Sequence, residues 1–223
     1  MAKRITAVFG HYGSGKTEFS INYAIRLSSE YNKVALIDLD IANPYFRSRE
    51  AQAQLENKGI DVYSNTYGYD ITAELPAITA KIRAPLESAD TYTVVDVGGD
   101  AAGARVVNQF HKYFLSGETD IFCVVNAKRP ETKTISGAIS HIAAIQAETG
   151  LQISGIVNNT HLLRETTSEL LLEGVRFAET LSESLKVPVI FHTYAEDLFP
   201  EAPLHIPGLF PINLYMRPTW LDK

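Results

Sequence analysis

The sequence predicts an α/β fold, a doubly wound and mostly parallel sheet with helices on both faces, and three observations lead there. Short apolar runs recur along the 223 residues, with longer helical patterns between them. Several of these runs are apolar throughout, as parallel strands covered on both faces must be. The first run leads directly into a glycine-rich turn, "GHYGSGKTEF", and two later runs end in aspartate.

The strands are expected at 4–9, 33–38, 60–64, 91–97, 120–126, 152–158 and 187–192. After the first of them a helix starts near Thr17, with Glu18, Asn22 and Arg26 on a polar face at i, i+4 and i+8 and a broad apolar remainder from Phe19 to Leu27. Residues 49–59 read as a helix stopped by glycine, and 131–149 as another running to Gly150. From about 165 to 185, Leu170, Phe177, Leu181 and Leu185 form one apolar stripe. Strand and helix alternating in this way build a doubly wound sheet. Residues 1–198 are expected to form one domain, and the proline- and aromatic-rich residues 199–223 an ordered, non-helical tail packed on it.

Bulk properties narrow the function. A formal net charge of -6 argues against sequence-independent binding to nucleic acid or to an anionic membrane. The single cysteine, Cys123, allows no internal disulfide; it reads as core filler in "DIFCVV" and suggests a reducing compartment. No apolar run approaches the roughly 20 residues that span a bilayer, and a cytoplasmic location is the expectation. The histidines, His11, His111, His141, His161, His192 and His205, lack metal-site spacing.

The glycine-rich turn carries the strongest chemistry. Gly10-x-x-x-x-Gly15-Lys16-Thr17 is a Walker A pattern, placed after a strand and at a helix start. Its glycines let the backbone fold back and aim N–H groups inward, and the helix N-terminus adds a positive dipole end. Gly10, Gly13, Ser14, Gly15, Lys16, Thr17 and the following Glu18 are therefore nucleotide-binding candidates. Lys16 would meet the β- and γ-phosphates, and the Thr17 hydroxyl would ligate Mg²⁺. Metal–phosphate chemistry also needs carboxylates at neighbouring strand ends. "VALIDLDIANP" supplies Asp38 and Asp40, and "YTVVDVGGD" supplies Asp96 in Walker B form with Gly98 and Gly99 next. Asp38 is read either as support for the metal site or as a turn residue.

With these motifs in hand, the sequence resembles the SIMIBI class of P-loop NTPases, in particular the MinD/ParA-like branch, and is also similar to dethiobiotin synthetase and to the nucleotide domain of cobyrinate diamide synthetase. "GHYGSGKTEF", "VALIDLDIANPYF", "YTVVDVGGD" and "SGIVNNT" carry the likeness in the family's order through about residue 195. The resemblance implies that Lys16 and Asp40 are catalytic, with Asp40 positioning the attacking water. It implies that Asp96 holds Mg²⁺ together with Thr17 and Asp40, and that Gly99 senses the γ-phosphate. It assigns Asn159 to the adenine edge, with Asn158 as the adjacent alternative, and sets Tyr194 beside the base. One position departs from the pattern: dimer-forming members carry lysine after the first Walker A glycine, and here that residue is His11. Arg47 and Arg49 are candidates to replace that cation.

ATP is the expected nucleotide, because neither "VNAKRPE" nor "VNNTHLL" supplies the Asn-Lys-x-Asp run of guanine readers. The leading expectation is a slow, Mg²⁺-dependent ATPase acting as a switch on a protein partner, with a nucleotide-dependent homodimer. Phosphoryl transfer to a small carboxylate is the alternative, with Lys128 and Arg129 as the only basic anchors in view, although solvated surface describes them better. A nucleotide-binding scaffold with negligible turnover is the third.

Overall fold

A computed structural model describes residues 2–40, 49–64, 75–203 and 205–216. Eight strands form one sheet: β1 (Ile5–Gly10), β2 (Val34–Asp38), β3 (Ile60–Ser64), β4 (Tyr92–Asp96), β5 (Thr119–Val125), β6 (Gly155–Asn158), β7 (Val189–Ala195) and β8 (Leu209–Ile212). They lie in the order β3-β2-β4-β1-β5-β6-β7-β8, and every pair is parallel. β1 pairs with β4 on one side and β5 on the other, so the carboxyl ends of three central strands open onto one crevice. In register, Val8 stands beside Asp96, and Asp38 beside Asp96 from the other strand.

The helices are α1 (Lys16–Glu30), α2 (Arg49–Glu56), α3 (Leu75–Glu87), two single turns α4 (Ala101–Ala104) and α5 (His111–Phe114), α6 (Ile135–Thr149) and α7 (Ser168–Leu185). Two apolar layers sandwich the sheet. Ile5, Ala7 and Phe9 of β1 pack in one layer with Ala138, Ile142 and Ile145 of α6. Val8 faces the other layer, with Phe19, Ile21, Ala24 and Leu27 of α1. This period-two split explains why β1 reads as continuously apolar. Thr134 and Thr167 cap α6 and α7, accepting from Gly137 N at 3.1 Å and Leu170 N at 3.2 Å. Gly150 ends α6 in the left-handed region, as its glycine suggested.

The predicted elements are present with shifted ends. The strand expected at 152–158 begins only at Gly155. Residues before it turn elsewhere: Ile153 N donates to Gln146 Oε1 at 3.0 Å and Ser154 N to Ile121 O at 2.8 Å. Helix α3 is not among the helices read from the sequence; Pro76 lies in its first turn, where proline is admissible. The helix tolerates Pro85 two residues from its end. Residues 209–212, inside the proline-rich tail, form strand β8. Phe210 there is buried in a ring cluster with Phe19, Tyr23 and Phe191, at centroid distances of 5.0 to 6.5 Å. Cys123 is core material, and burial pushes its thiol up to about 12. No helix among the described residues is long and apolar enough to cross a membrane.

Candidate functional site

The turn after β1 has the geometry its composition demands. Gly15 takes φ +83 and caps α1 without a side chain; a Cβ there would sit 2.1 Å from Asn159 Nδ2. Only glycine supports both the left-handed backbone and the close approach. Gly99, from the loop after β4, brings its Cα so near the turn that a Cβ would lie 2.9 Å from Tyr12 N. The glycine turn after β1 and the loop after β4 are thus in direct main-chain contact.

Behind the turn, charge is concentrated and enclosed. Lys16, Thr17, Asp38, Asp40 and Asp96 are all buried. The Lys16 ammonium donates to Asp40 Oδ2 and lies 4.0 Å from Asp96 Oδ1. Thr17 Oγ1 donates to Asp96 Oδ2 at 2.6 Å, and Ser20 Oγ donates to Asp96 Oδ1 at 3.4 Å. Asp38 Oδ1 accepts from Asp40 N at 2.8 Å, which sets the bend of that strand end. Burial works against the Lys16 charge, but attraction to Asp96 and Asp40 outweighs it and raises the ammonium's pKa. Burial, then the neighbouring Asp96 charge, pushes the Asp38 carboxyl up to about 8. Burial likewise raises Asp96, against the pull of Lys16 and Thr17.

This set fits a phosphate with a divalent cation. Asp40 and Asp96 lie beside one lysine with Asp38 next to them, a set of oxygens whose ionised form a divalent ion would favour. Thr17 Oγ1 and Asp96 form the hydroxyl–carboxylate pair a hard, oxygen-seeking ion takes, usually with several waters retained. Among the described residues no group of three or more His, Cys, Asp or Glu side chains is arranged to hold a metal by itself. Ser14 Oγ is buried and has no hydrogen-bond partner among the described residues. It lies in the loop where an anionic acceptor would engage it.

Beside the loop opens a cavity of about 380 Å³. Gly13, Gly15 and Glu18 border it on the phosphate side, and Asn159, Tyr194 and Met216 are among the residues that line the rest. Asn159 donates to Ser14 O at 2.7 Å and accepts from Thr193 Oγ1 at 2.5 Å, so its amide ties β6 to the loop. Asn158 lies beneath, against His192 Nδ1 at 3.1 Å and Thr160 Oγ1 at 2.8 Å, and does not line the cavity.

Other predicted residues fall as follows. Lys128 pairs with Glu173 at 2.7 Å, away from the loop. Arg129, read from sequence as solvated surface, instead donates through Nε to Gly13 O at 2.6 Å and borders the cavity. His11 packs edge-on to His141 with centroids 5.1 Å apart, and its Nδ1 lies 3.8 Å from Glu131 Oε2. Arg47 and the side chain of Arg49 lie outside the described residues. Leu163, Leu214 and Met216 line the cavity without having been singled out by sequence. The one usable signal was the apolar character of "HLL" directly after "VNNT".

The fold is a three-layer α/β sandwich in which one parallel sheet carries helices on both faces. Solved structures share the fold at low identity. Chloroplast FtsY from Physcomitrella patens superposes with a TM-score of 0.56 at 16% identity, covering 86% of this chain and 58% of that one. FtsY from Mycoplasma mycoides gives 0.53 at 18%, covering 84% and 58%. The signal recognition particle 54 kDa protein from Aeropyrum pernix K1, in complex with GDP, gives 0.56 at 18%, covering 85% and 41%. The chain thus spans 58% or less of the length of these proteins. No family model matches the sequence, and no curated protein matches it.

Proposed function

We propose that this chain binds ATP with Mg²⁺ and hydrolyses it slowly. In this reading it is a cytoplasmic switch of the MinD/ParA type that pairs with a second copy in the ATP state and acts on a protein partner. The observation that carries the reading is the buried cluster in which Lys16 meets Asp40 and Asp96 while Thr17 donates to Asp96, set behind the turn at Gly15. The loop amides, Ser14 and Lys16 hold the phosphates, and a triphosphate offers Lys16 an anionic partner in place of Asp40. The Asp40 carboxylate is then available to orient the attacking water and accept its proton. Thr17, Asp96 and Asp40 would hold Mg²⁺, which neutralises charge on the phosphate oxygens. Gly99, touching the loop at Tyr12, is placed to report the terminal phosphate to residues 100–105.

Adenine is favoured because the end of β6 reads Asn158-Asn159-Thr160-His161, with leucines following and no aspartate to pair with guanine's donors. Asn159 and Tyr194 border the base cavity. Guanine nucleotide is the second reading, since one protein of the same fold is described with GDP. Phosphoryl transfer to a small carboxylate is less supported, because Lys128 and Arg129 already engage Glu173 and Gly13.

Calorimetry with Mg-ATP and Mg-GTP, alongside phosphate release, tests the reading. The expected result is at least tenfold tighter binding of Mg-ATP, with slow release from Mg-ATP alone. In Asp40→Asn, release falls at least a hundredfold while binding stays within tenfold. Tighter Mg-GTP binding replaces the nucleotide. Release only with an added small acid replaces the reaction, and no release in any condition leaves a scaffold.

A further inference from the structure

The phosphate loop and the far end of the chain meet at Glu18. Glu18 lies in the first turn of α1, one residue past the Thr17 hydroxyl, and its two carboxylate oxygens accept from consecutive main-chain amides at the other end of the protein. Tyr215 N donates to Oε2 at 2.9 Å and Met216 N to Oε1 at 2.7 Å. One turn on, Asn22 repeats the arrangement: its Nδ2 donates to Asn213 O at 2.9 Å and its Oδ1 accepts from Asn213 N at 2.9 Å. Residues four apart on a helix share a face, so one face of α1 grips residues 213–216 by four hydrogen bonds. The sheet does not require this grip, since β8 has already ended at Ile212.

What the grip positions is a wall. Ile212 at the end of β8, and Leu214 and Met216 in the segment that follows, all line the cavity next to the glycine turn. Leu163, from the loop after β6, lines it too, at φ +53, a left-handed backbone that leucine seldom adopts. Leu163 and Leu214 are also 41% and 37% exposed, large apolar groups left at the rim of a cavity rather than buried in the core. An apolar rim suits a flat aromatic ring, and a thioether packs well against one.

We propose that residues 212–216 are the base-selecting wall of the nucleotide site, set in place by the Glu18 latch on Tyr215 and Met216. This rests on the nucleotide reading above and adds to it the element that recognises the base. Leu214 and Met216 meet the purine ring. Glu18 is a positioning residue, acting through the segment that it holds and not on the phosphates.

The test separates base from phosphate. The full chain, Glu18→Gln, and the double variant Leu214→Ala with Met216→Ala are titrated with Mg-ATP, Mg-GTP and magnesium tripolyphosphate, which has phosphates and no base. Glutamine keeps the shape but sets an NH₂ against a main-chain N–H. The two alanines remove partly exposed side chains, of which Met216 packs against the edge of the core, and urea titration checks that the variant stays folded. Both variants should bind Mg-ATP at least fivefold more weakly, bind tripolyphosphate within twofold of the parent, and show a reduced ratio of ATP to GTP affinity. A loss below fivefold in either variant overturns the proposal. An equal loss for tripolyphosphate also overturns it, by assigning Glu18 to the phosphate loop. A parent chain that binds tripolyphosphate but discriminates no base removes the wall while leaving the loop. A parent that binds none of the three ligands removes both readings.

Discussion

The two ends of the crevice are built on opposite plans. At the phosphate end every functional group follows directly on the end of a central strand. Ser14, Lys16 and Thr17 follow β1, Asp40 follows β2 and Asp96 closes β4; all are buried, and Lys16, Thr17, Asp40 and Asp96 are tied to one another. At the base end the cavity is gathered from places distant in the chain: Arg129, the loop at Leu163, Tyr194 and the segment through Met216. Its side chains are largely apolar and some lie at the surface. The contrast matches the two halves of the nucleotide proposed as ligand. A phosphate needs fixed N–H groups and matched charge, which main-chain geometry at strand ends supplies. A ring needs surface of the right shape, which any nearby segment can supply.

The sharpest break in that comparison is Lys16→Ala. It should abolish binding of Mg-nucleotide and of tripolyphosphate alike, with at least a hundredfold loss in calorimetry. It should also destabilise the ligand-free protein by about 3–5 kcal/mol in urea titration, because Asp40 and Asp96 lose the ammonium buried between them. A variant that keeps nucleotide affinity would remove the distinction between the two ends altogether.

At the base end, Phe210→Ala should cost about 3–5 kcal/mol of stability by opening the ring cluster that joins β8 to α1. In the protein that remains folded at low temperature, ATP should bind more weakly while tripolyphosphate is held normally. Arg129→Ala probes the seam between the ends. Loss of its hydrogen bond to Gly13 O should weaken both ligands threefold to tenfold, measured by the same titrations.

A pH dependence is also expected in the cavity wall. Burial, and then the nearby Arg129 charge, holds His161 down to about 4. Its Nδ1 accepts from Leu163 N at 3.2 Å, which requires the neutral ring. A histidine depressed in the folded state contributes stability above its unfolded value near 6.5, and that contribution is lost as the pH falls toward 4. Urea titrations between pH 7 and 4 should show a slope that His161→Gln flattens. Arg129→Ala should raise the His161 titration midpoint seen by NMR.

Legibility in the sequence follows the same division. The glycine turn, Lys16, Thr17 and the aspartates at 38, 40 and 96 were all readable, because each lies within a few residues of the apolar run that positions it. The loop at Asn159 was readable in the same way. Helix α3 was obscured by Pro85, which lies two residues from its end and is tolerated there while Ile82 and Leu86 are buried in the core. Arg129 looked like one more surface cation, since nothing in "NAKRPETKT" reveals that Gly13, 116 residues earlier, offers it a carbonyl. Strand β8 was obscured by the prolines around it. It was nevertheless admissible at the edge of the sheet, where a missing N–H is tolerated.

By itself, then, the amino-acid order determined the parallel α/β architecture and which polar side chains gather at the central strand ends, because strand patterning and strand-end motifs act over distances shorter than one element. Tertiary structure alone decided which surfaces complete the cavity. The carboxylate of Glu18 finds its amides 197 and 198 residues away. Such a pairing has no local signature: either partner alone reads as an ordinary helix acid or an ordinary tail amide, and only closure of the sheet through β8 brings them within hydrogen-bond reach.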